Sequence, residues 1–173
     1  MEKVATVYWL LPAKPERELF CDLGQILGKE FRAPNFEPHL TLFSTTKDRQ
    51  SPKKVLRQIS LQPIRLTARR VAFSSEFTRT LFVRFKSSDA LRKLVAALSR
   101  AAKSPAKPPS DPHVSLLYKK LPRAAKKELA AVMRLPFRTV VFDSIAAVRC
   151  ASPSRNKADV EAWKILAKRS LRR

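Results

Sequence analysis

Histidine and cysteine are nearly missing from this chain, whose 173 residues hold two of each. The cysteines, Cys21 and Cys150, are far apart and match no metal-ligand spacing, which argues against paired-cysteine zinc sites. They read as free thiols of a reducing, cytoplasmic compartment, with a single bridge as the alternative that spacing leaves open. Acid is scarce too. Against 36 Lys plus Arg stand only 14 Asp plus Glu, for a net charge of +22. That excess favours polyanions such as nucleic acid, nucleotides or an anionic surface. The plain alternative is a solvated basic surface with no dedicated ligand. The charge is spread, with mild clusters at Arg65–Arg70, Lys119–Lys127 and Lys164–Arg173; only the end, Arg169–Arg173, resembles a tail. Long apolar runs are also missing. The stretch from Val4 to Leu11 is broken by Pro12, Lys14, Pro15 and Glu16, and it lacks a small-residue cleavage site. A membrane span and a signal peptide are therefore not expected.

What the chain does have is enough apolar residue to fold. Its hydrophobic content of 45 % argues against disorder, and its length suits one domain with a core that needs no staples. Val4–Leu11 is β-branched and aromatic and predicts a strand. Leu19, Phe20, Leu23, Ile26, Leu27 and Phe31 recur at helical spacing after Pro15. A strand is expected from His39, a short helix over Pro52–Ile59, and a strand pair over Ile64–Ser74 and Thr80–Phe85. Leu91, Leu94, Val95 and Leu98 mark a second long helix, capped by Ser88 or Asp89. A proline-rich loop, Lys103–Pro112, leads to the strand VSLLY. Pro122 opens a third helix with Leu129, Val132 and Met133 on its buried side. Phe137–Val148 is a strand, ASPSRNKAD a turn, and Val160–Leu166 a last strand or a short helix.

The second half of this order echoes the first, and the echo centres on the scarce histidines. Phe36–Phe43 reads FEPHLTLF and Asp111–Tyr118 reads DPHVSLLY. Each histidine follows a proline and precedes an apolar residue, a hydroxyl residue and a leucine. Strand side chains alternate between faces, so His39 shares a face with Thr41, and His113 with Ser115. Leu40, Leu42, Val114 and Leu116 point the other way, into a core. One such motif alone is more often a packed or surface histidine than a catalyst. Two copies that use every histidine point to paired function.

Two imidazoles and two hydroxyls on one cleft suit phosphodiester hydrolysis without metal. A neutral histidine takes a proton from water, and a protonated one gives a proton to the leaving oxygen. The hydroxyls donate to the non-bridging oxygens, where charge collects. The set makes a poor zinc or magnesium site, and no cofactor is expected.

The tetrapeptides His39-Leu-Thr-Leu and His113-Val-Ser-Leu resemble the signature of the 2H phosphoesterase superfamily. With YWLLP and VEAWKIL, the chain resembles its plant and yeast cyclic phosphodiesterase branch over nearly its whole length. The resemblance implies an α+β, bilobal fold over residues 1–173, one catalytic domain with two antiparallel sheets facing a central cleft and helices outside. It implies opening of 2',3'-cyclic nucleotides to 2'-phosphates, or of ADP-ribose 1'',2''-cyclic phosphate to the 1''-phosphate, by a monomer. His39 and His113 would be the acid/base pair, with His113 as base by analogy, and Thr41, Ser115 and Tyr118 would bind phosphate. Alternation alone puts Tyr118 on the wrong face, so the strand must end or bulge near Leu117 for it to reach the cleft. Trp9, Trp163 and Phe77 are candidates for base stacking, with sheet packing the better reading of both tryptophans. The extra loop cysteines of some relatives are missing here. The strong basicity suits an RNA end bearing a cyclic phosphate; a basic RNA-binding module without turnover is the non-enzyme alternative.

Overall fold

The computed structural model describes residues 3–171, so Arg172 and Arg173 of the basic end lie outside the described residues. Hydroxyl and amide side chains set where several helices start. Ser51 accepts from the Lys54 N–H ahead of α2 (Pro52–Arg57), and Ser88 accepts from Leu91 N–H ahead of α3 (Asp89–Ala102). Asn156 and Asp159 form a capping box at α5 (Lys157–Glu161). The two other helices are α1 (Glu16–Phe31) and α4 (Arg123–Val132), each preceded by proline. The strands are β1 (Lys3–Pro12), β2 (Leu40–Thr45), β3 (Ile64–Phe73), β4 (Leu81–Phe85), β5 (His113–Leu117), β6 (Thr139–Ser152) and β7 (Lys164–Ser170), with a 3-10 turn at Phe77–Arg79.

All pairings are antiparallel and all seven strands belong to one sheet, ordered β1-β2-β5-β4-β3-β6-β7. The expected pair of separate sheets is thus fused. Two features join them. β6 is long enough to pair with β3 through Thr139–Phe142 and with β1 through Phe142–Ser152. β2 and β5 meet through a single couple, Leu40 with Val114.

One face of the sheet is buried under the helices, where Leu10, Leu40, Val83, Val114, Phe142 and Ile145 are inaccessible to solvent. Each such apolar side chain contributes about 1.5–3 kcal/mol of burial. Three expected core residues stay outside. On α1, Phe20, Leu23, Leu27 and Phe31 form the inward stripe, and Leu19 and Ile26 sit about 100° round from Phe20 and Leu27. They are 39 % and 65 % exposed. On α4, Lys126, Leu129 and Met133 take the inward side, and Val132 is exposed. Lys126 is buried because its ammonium donates to the Ser74 carbonyl at 2.7 Å. At the end of the chain both readings of the last segment hold in sequence: α5 takes part of ASPSRNKAD, and β7 follows it. β6 runs past Val148 to Ser152 because β1 supplies partners as far as Lys3.

Candidate active site

The Leu40–Val114 couple is the pivot of the other face. One step either side of it in antiparallel register places His39 opposite Ser115 and Thr41 opposite His113. The imidazole and hydroxyl of each motif therefore meet their counterparts crosswise, from adjacent strands of one sheet. His39, Thr41, His113, Ser115 and Tyr118 all line a single cleft of about 290 Å³. Alternation is obeyed: Leu40, Leu42, Val114 and Leu116 are at most 2 % exposed, on the core side.

The two motifs are built alike beyond the four residues read from sequence. His39 Nδ1 lies 2.6 Å from the Glu37 carbonyl, and His113 Nδ1 lies 2.9 Å from the Asp111 carbonyl. A carbonyl only accepts, so Nδ1 carries the proton in both rings and Nε2 is left free for chemistry. Each acid at that position turns its carboxylate away to arginine. Glu37 pairs with Arg17, and Asp111 pairs with Arg79 at 3.1 Å and Arg84 at 3.0 Å. Each histidine also rests on an aromatic ring from the next strand. Trp9 stacks on His39 at 3.8 Å, and Phe82 meets His113 edge-on at 5.1 Å. Trp9 pairs with Thr41 and Phe82 with Ser115, so the ring occupies the same register position in both halves.

A bulge follows each hydroxyl residue. The β1–β2 register shifts across Leu42, and the β4–β5 register shifts across Leu116. The second shift reverses parity after Ser115, and β5 ends at Leu117, so Tyr118 reaches the cleft. It is also packed: only 2 % exposed, it stacks on Phe36 at 3.8 Å. Burial pushes its hydroxyl well above the ordinary range, with the neighbouring Ser115 hydroxyl pulling the other way. Tyr118 is thus both a packed ring and part of the cleft lining. Ser115 Oγ donates to the Thr78 carbonyl at 2.9 Å, while Thr41 is exposed at the mouth.

Both histidines are held neutral. His39, 6 % exposed, is pushed down to about 4, chiefly by burial and further by the positive form of His113. His113 is lowered by burial and further by the Arg79 guanidinium, against which the Asp111 carbonyl, the Asp111 carboxylate and Glu76 push upward. Burial also raises the thiol of Cys150, which lines the cleft, to about 11. Both cysteines are free. No group of three or more His, Cys, Asp or Glu that could hold a metal ion occurs among the described residues.

Sequence reasoning missed several residues of the cleft. Arg79, from the 3-10 turn, lines it beside Glu76 and Thr78, its guanidinium 4.6 Å above the Phe82 ring. Nothing local marks Arg79 among 36 cationic residues. The acid two residues before each histidine was visible in both motifs, and its use through the carbonyl was not. Of the aromatic candidates, Trp9 is buried packing under His39. Half-buried Trp163 forms a cleft wall, held by Nε1 donating to Ser154 Oγ at 2.9 Å. Phe77 leans on Tyr118 but does not line the cleft.

Residues 32–151, more than half the chain and both motifs, match the family model of the 2'-5' RNA ligase superfamily. The chain belongs to that superfamily. It is a 2H phosphoesterase, with the phosphodiester-directed enzyme chemistry of that group. Solved structures agree on the fold. TT0787 of Thermus thermophilus is 20 % identical with a TM-score of 0.60, the match covering 97 % of this chain and 98 % of that one. E. coli LigT in complex with 3'-AMP is 13 % identical with a TM-score of 0.57, covering 99 % and 100 %. No curated protein sequence matches the chain. The α+β class expected from the motifs thus holds for this 2H phosphoesterase, and no helix among its described residues is long and apolar enough to cross a membrane.

Proposed function

We propose that residues 1–173 form one catalytic domain that hydrolyses 2',3'-cyclic phosphates. The observation that carries this reading is the Leu40–Val114 register, which sets two imidazoles and two hydroxyls crosswise on one cleft. Water attacks phosphorus and loses its proton to one Nε2; the bond from phosphorus to O3' breaks, and the other histidine protonates that oxygen. The product is a 2'-phosphate. Thr41 and Tyr118 hydroxyls donate to the non-bridging oxygens, Ser115 joins them by turning its O–H from the Thr78 carbonyl, and Arg79 adds positive field beside them.

Burial favours His39 as the base, since it stays neutral, and the less buried His113 as the acid, since Asp111 and Glu76 oppose the lowering by burial and by Arg79. This is the reverse of the allocation by analogy. A bound phosphate anion raises both values and supplies the missing proton affinity. LigT structures hold 3'-AMP, ATP, phosphate and NADP+, which supports a nucleotide ligand for the same fold here. We place the chain in the cyclic phosphodiesterase branch, acting as a cytoplasmic monomer without cofactor. ADP-ribose 1'',2''-cyclic phosphate is a further substrate of the same chemistry, giving the 1''-phosphate.

The test is a panel of 2',3'-cyclic nucleotides, cyclic-phosphate-ended RNA and ADP-ribose cyclic phosphate, with wild type beside His113→Ala. Opening of at least one substrate by wild type and its loss in the variant support the reading. Tight binding of RNA with no turnover of any of them would replace the enzyme with a binding module.

A further inference from the structure

The two walls of the cleft differ in kind. One is aromatic, made by Trp163 and Tyr118, with Phe36 stacked behind Tyr118. The other continues into a row of positive charge. His113 pairs with Arg84 across β4–β5, and Arg84 pairs with Arg70 across β3–β4. Direct cross-strand partners share a face, so His113, Arg84 and Arg70 form one line leading out of the cleft. Neighbouring strands lie about 4.8 Å apart, which puts Arg70 roughly 10 Å from the histidine along the sheet.

The row is costly as structure. Like charges directly opposite on a sheet destabilise it. Asp111 answers part of that cost, but it is shared by Arg79 and Arg84, and Arg70 has no ion-pair partner among the described residues. The register of β3 also shifts between Ala68 and Arg70, so Arg69 bulges and both arginines are exposed on the outer surface. Arg65, exposed two alternations further along β3, extends the line. On the other side of that strand Ile64 and Leu66 are core. Positive charge is thus concentrated on the cleft face of this half.

We propose that Arg84, Arg70, Arg69 and Arg65 form a track for the phosphate backbone of a polynucleotide whose 3' end occupies the cleft. The substrate is then an RNA end bearing the cyclic phosphate in place of a free cyclic nucleotide. This rests on the proposed cyclic phosphodiesterase reading for the terminal group, and the track itself is testable without it. The continuity of the row with His113 favours RNA over an anionic lipid surface, which would need charge spread over a flat exposed face.

The experiment uses a fluorescent RNA decamer ending in a 3'-phosphate, read by anisotropy at several salt concentrations with wild type and Arg70→Ala. Turnover of a cyclic-phosphate-ended decamer and of 2',3'-cyclic AMP is measured beside it. The track predicts roughly 5–10-fold weaker RNA binding in the variant and a salt slope shallower by about 0.7 per lost contact. It also predicts that kcat/KM for the decamer exceeds that for the mononucleotide, with the ratio collapsing in Arg70→Ala. The variant's unfolding midpoint should equal or exceed wild type, because a like-charge contact is relieved; a lower midpoint with the same loss of binding marks a structural role and overturns the proposal. Equal decamer and mononucleotide turnover, or unchanged RNA binding, overturns it too. Loss of binding to anionic vesicles with RNA binding retained assigns the row to lipid and removes it. An Arg70-dependent salt slope with no opening of either substrate keeps the track and removes the catalytic reading.

Discussion

Burying a titratable ring between Trp9, Phe36 and Trp163 makes the fold's stability depend on acid. His39 titrates at about 4 in the fold and near its ordinary 6.5 in the unfolded chain. Between those values the unfolded chain binds the proton and the native chain does not. Stability is therefore complete above about pH 6.5 and is lost as pH falls through 4. The difference amounts to about 3 kcal/mol, a large share of a small domain's stability. His113 and acid-sensitive ion pairs act in the same direction, so the contribution of His39 must be isolated. His39→Phe keeps a ring against Trp9 and removes the titration. Urea unfolding of both proteins at pH 7 and pH 4 provides the assay. For an m-value of about 2 kcal/mol/M, the wild-type midpoint should drop by about 1.5 M more than that of the variant. Equal drops would refute the burial argument and, with it, the claim that His39 rests neutral.

Tyr118→Phe preserves the stack on Phe36 and deletes only the hydroxyl. If that hydroxyl holds the phosphate, kcat should fall by roughly 10-fold or more with the melting temperature nearly unchanged; unchanged kcat would reduce Tyr118 to packing. Val114→Ala removes volume at the single couple joining β2 to β5. It should cost about 2 kcal/mol in denaturant unfolding and lower kcat more than that loss of folded protein explains. Chelation by EDTA should leave turnover of a cyclic nucleotide unchanged, because the described residues offer no cluster of metal ligands.

Period-two alternation made the His–hydroxyl pairs legible, because both motifs keep an apolar residue between and after the polar ones. The element order was legible for the same reason, since proline, serine caps and apolar spacing are local signals. The adjacency of β2 and β5 was not. It depends on β6 being long enough to bridge both halves, which is a pairing between residues distant in the chain. Tyr118 turned on the bulge at Leu116, and no residue type announces a bulge there. Leu19, Ile26 and Val132 misled because their side chains are apolar, while only angular position on the helix decides burial. Arg79 escaped notice because its part in the cleft comes from a turn placed by the β3–β4 pairing. The clustering of Arg65, Arg69 and Arg70 was visible; that Arg70 lines up with His113 was not.

The central claim is that the two crosswise histidines act as one acid/base unit. The most direct measurement is turnover of a 2',3'-cyclic nucleotide by wild type, His39→Ala, His113→Ala and the double variant. Groups that act as a unit are not additive, so each single variant should lose about as much as the double, at least 100-fold. The wild-type pH–rate profile should be bell-shaped. Full activity in both single variants would contradict the account.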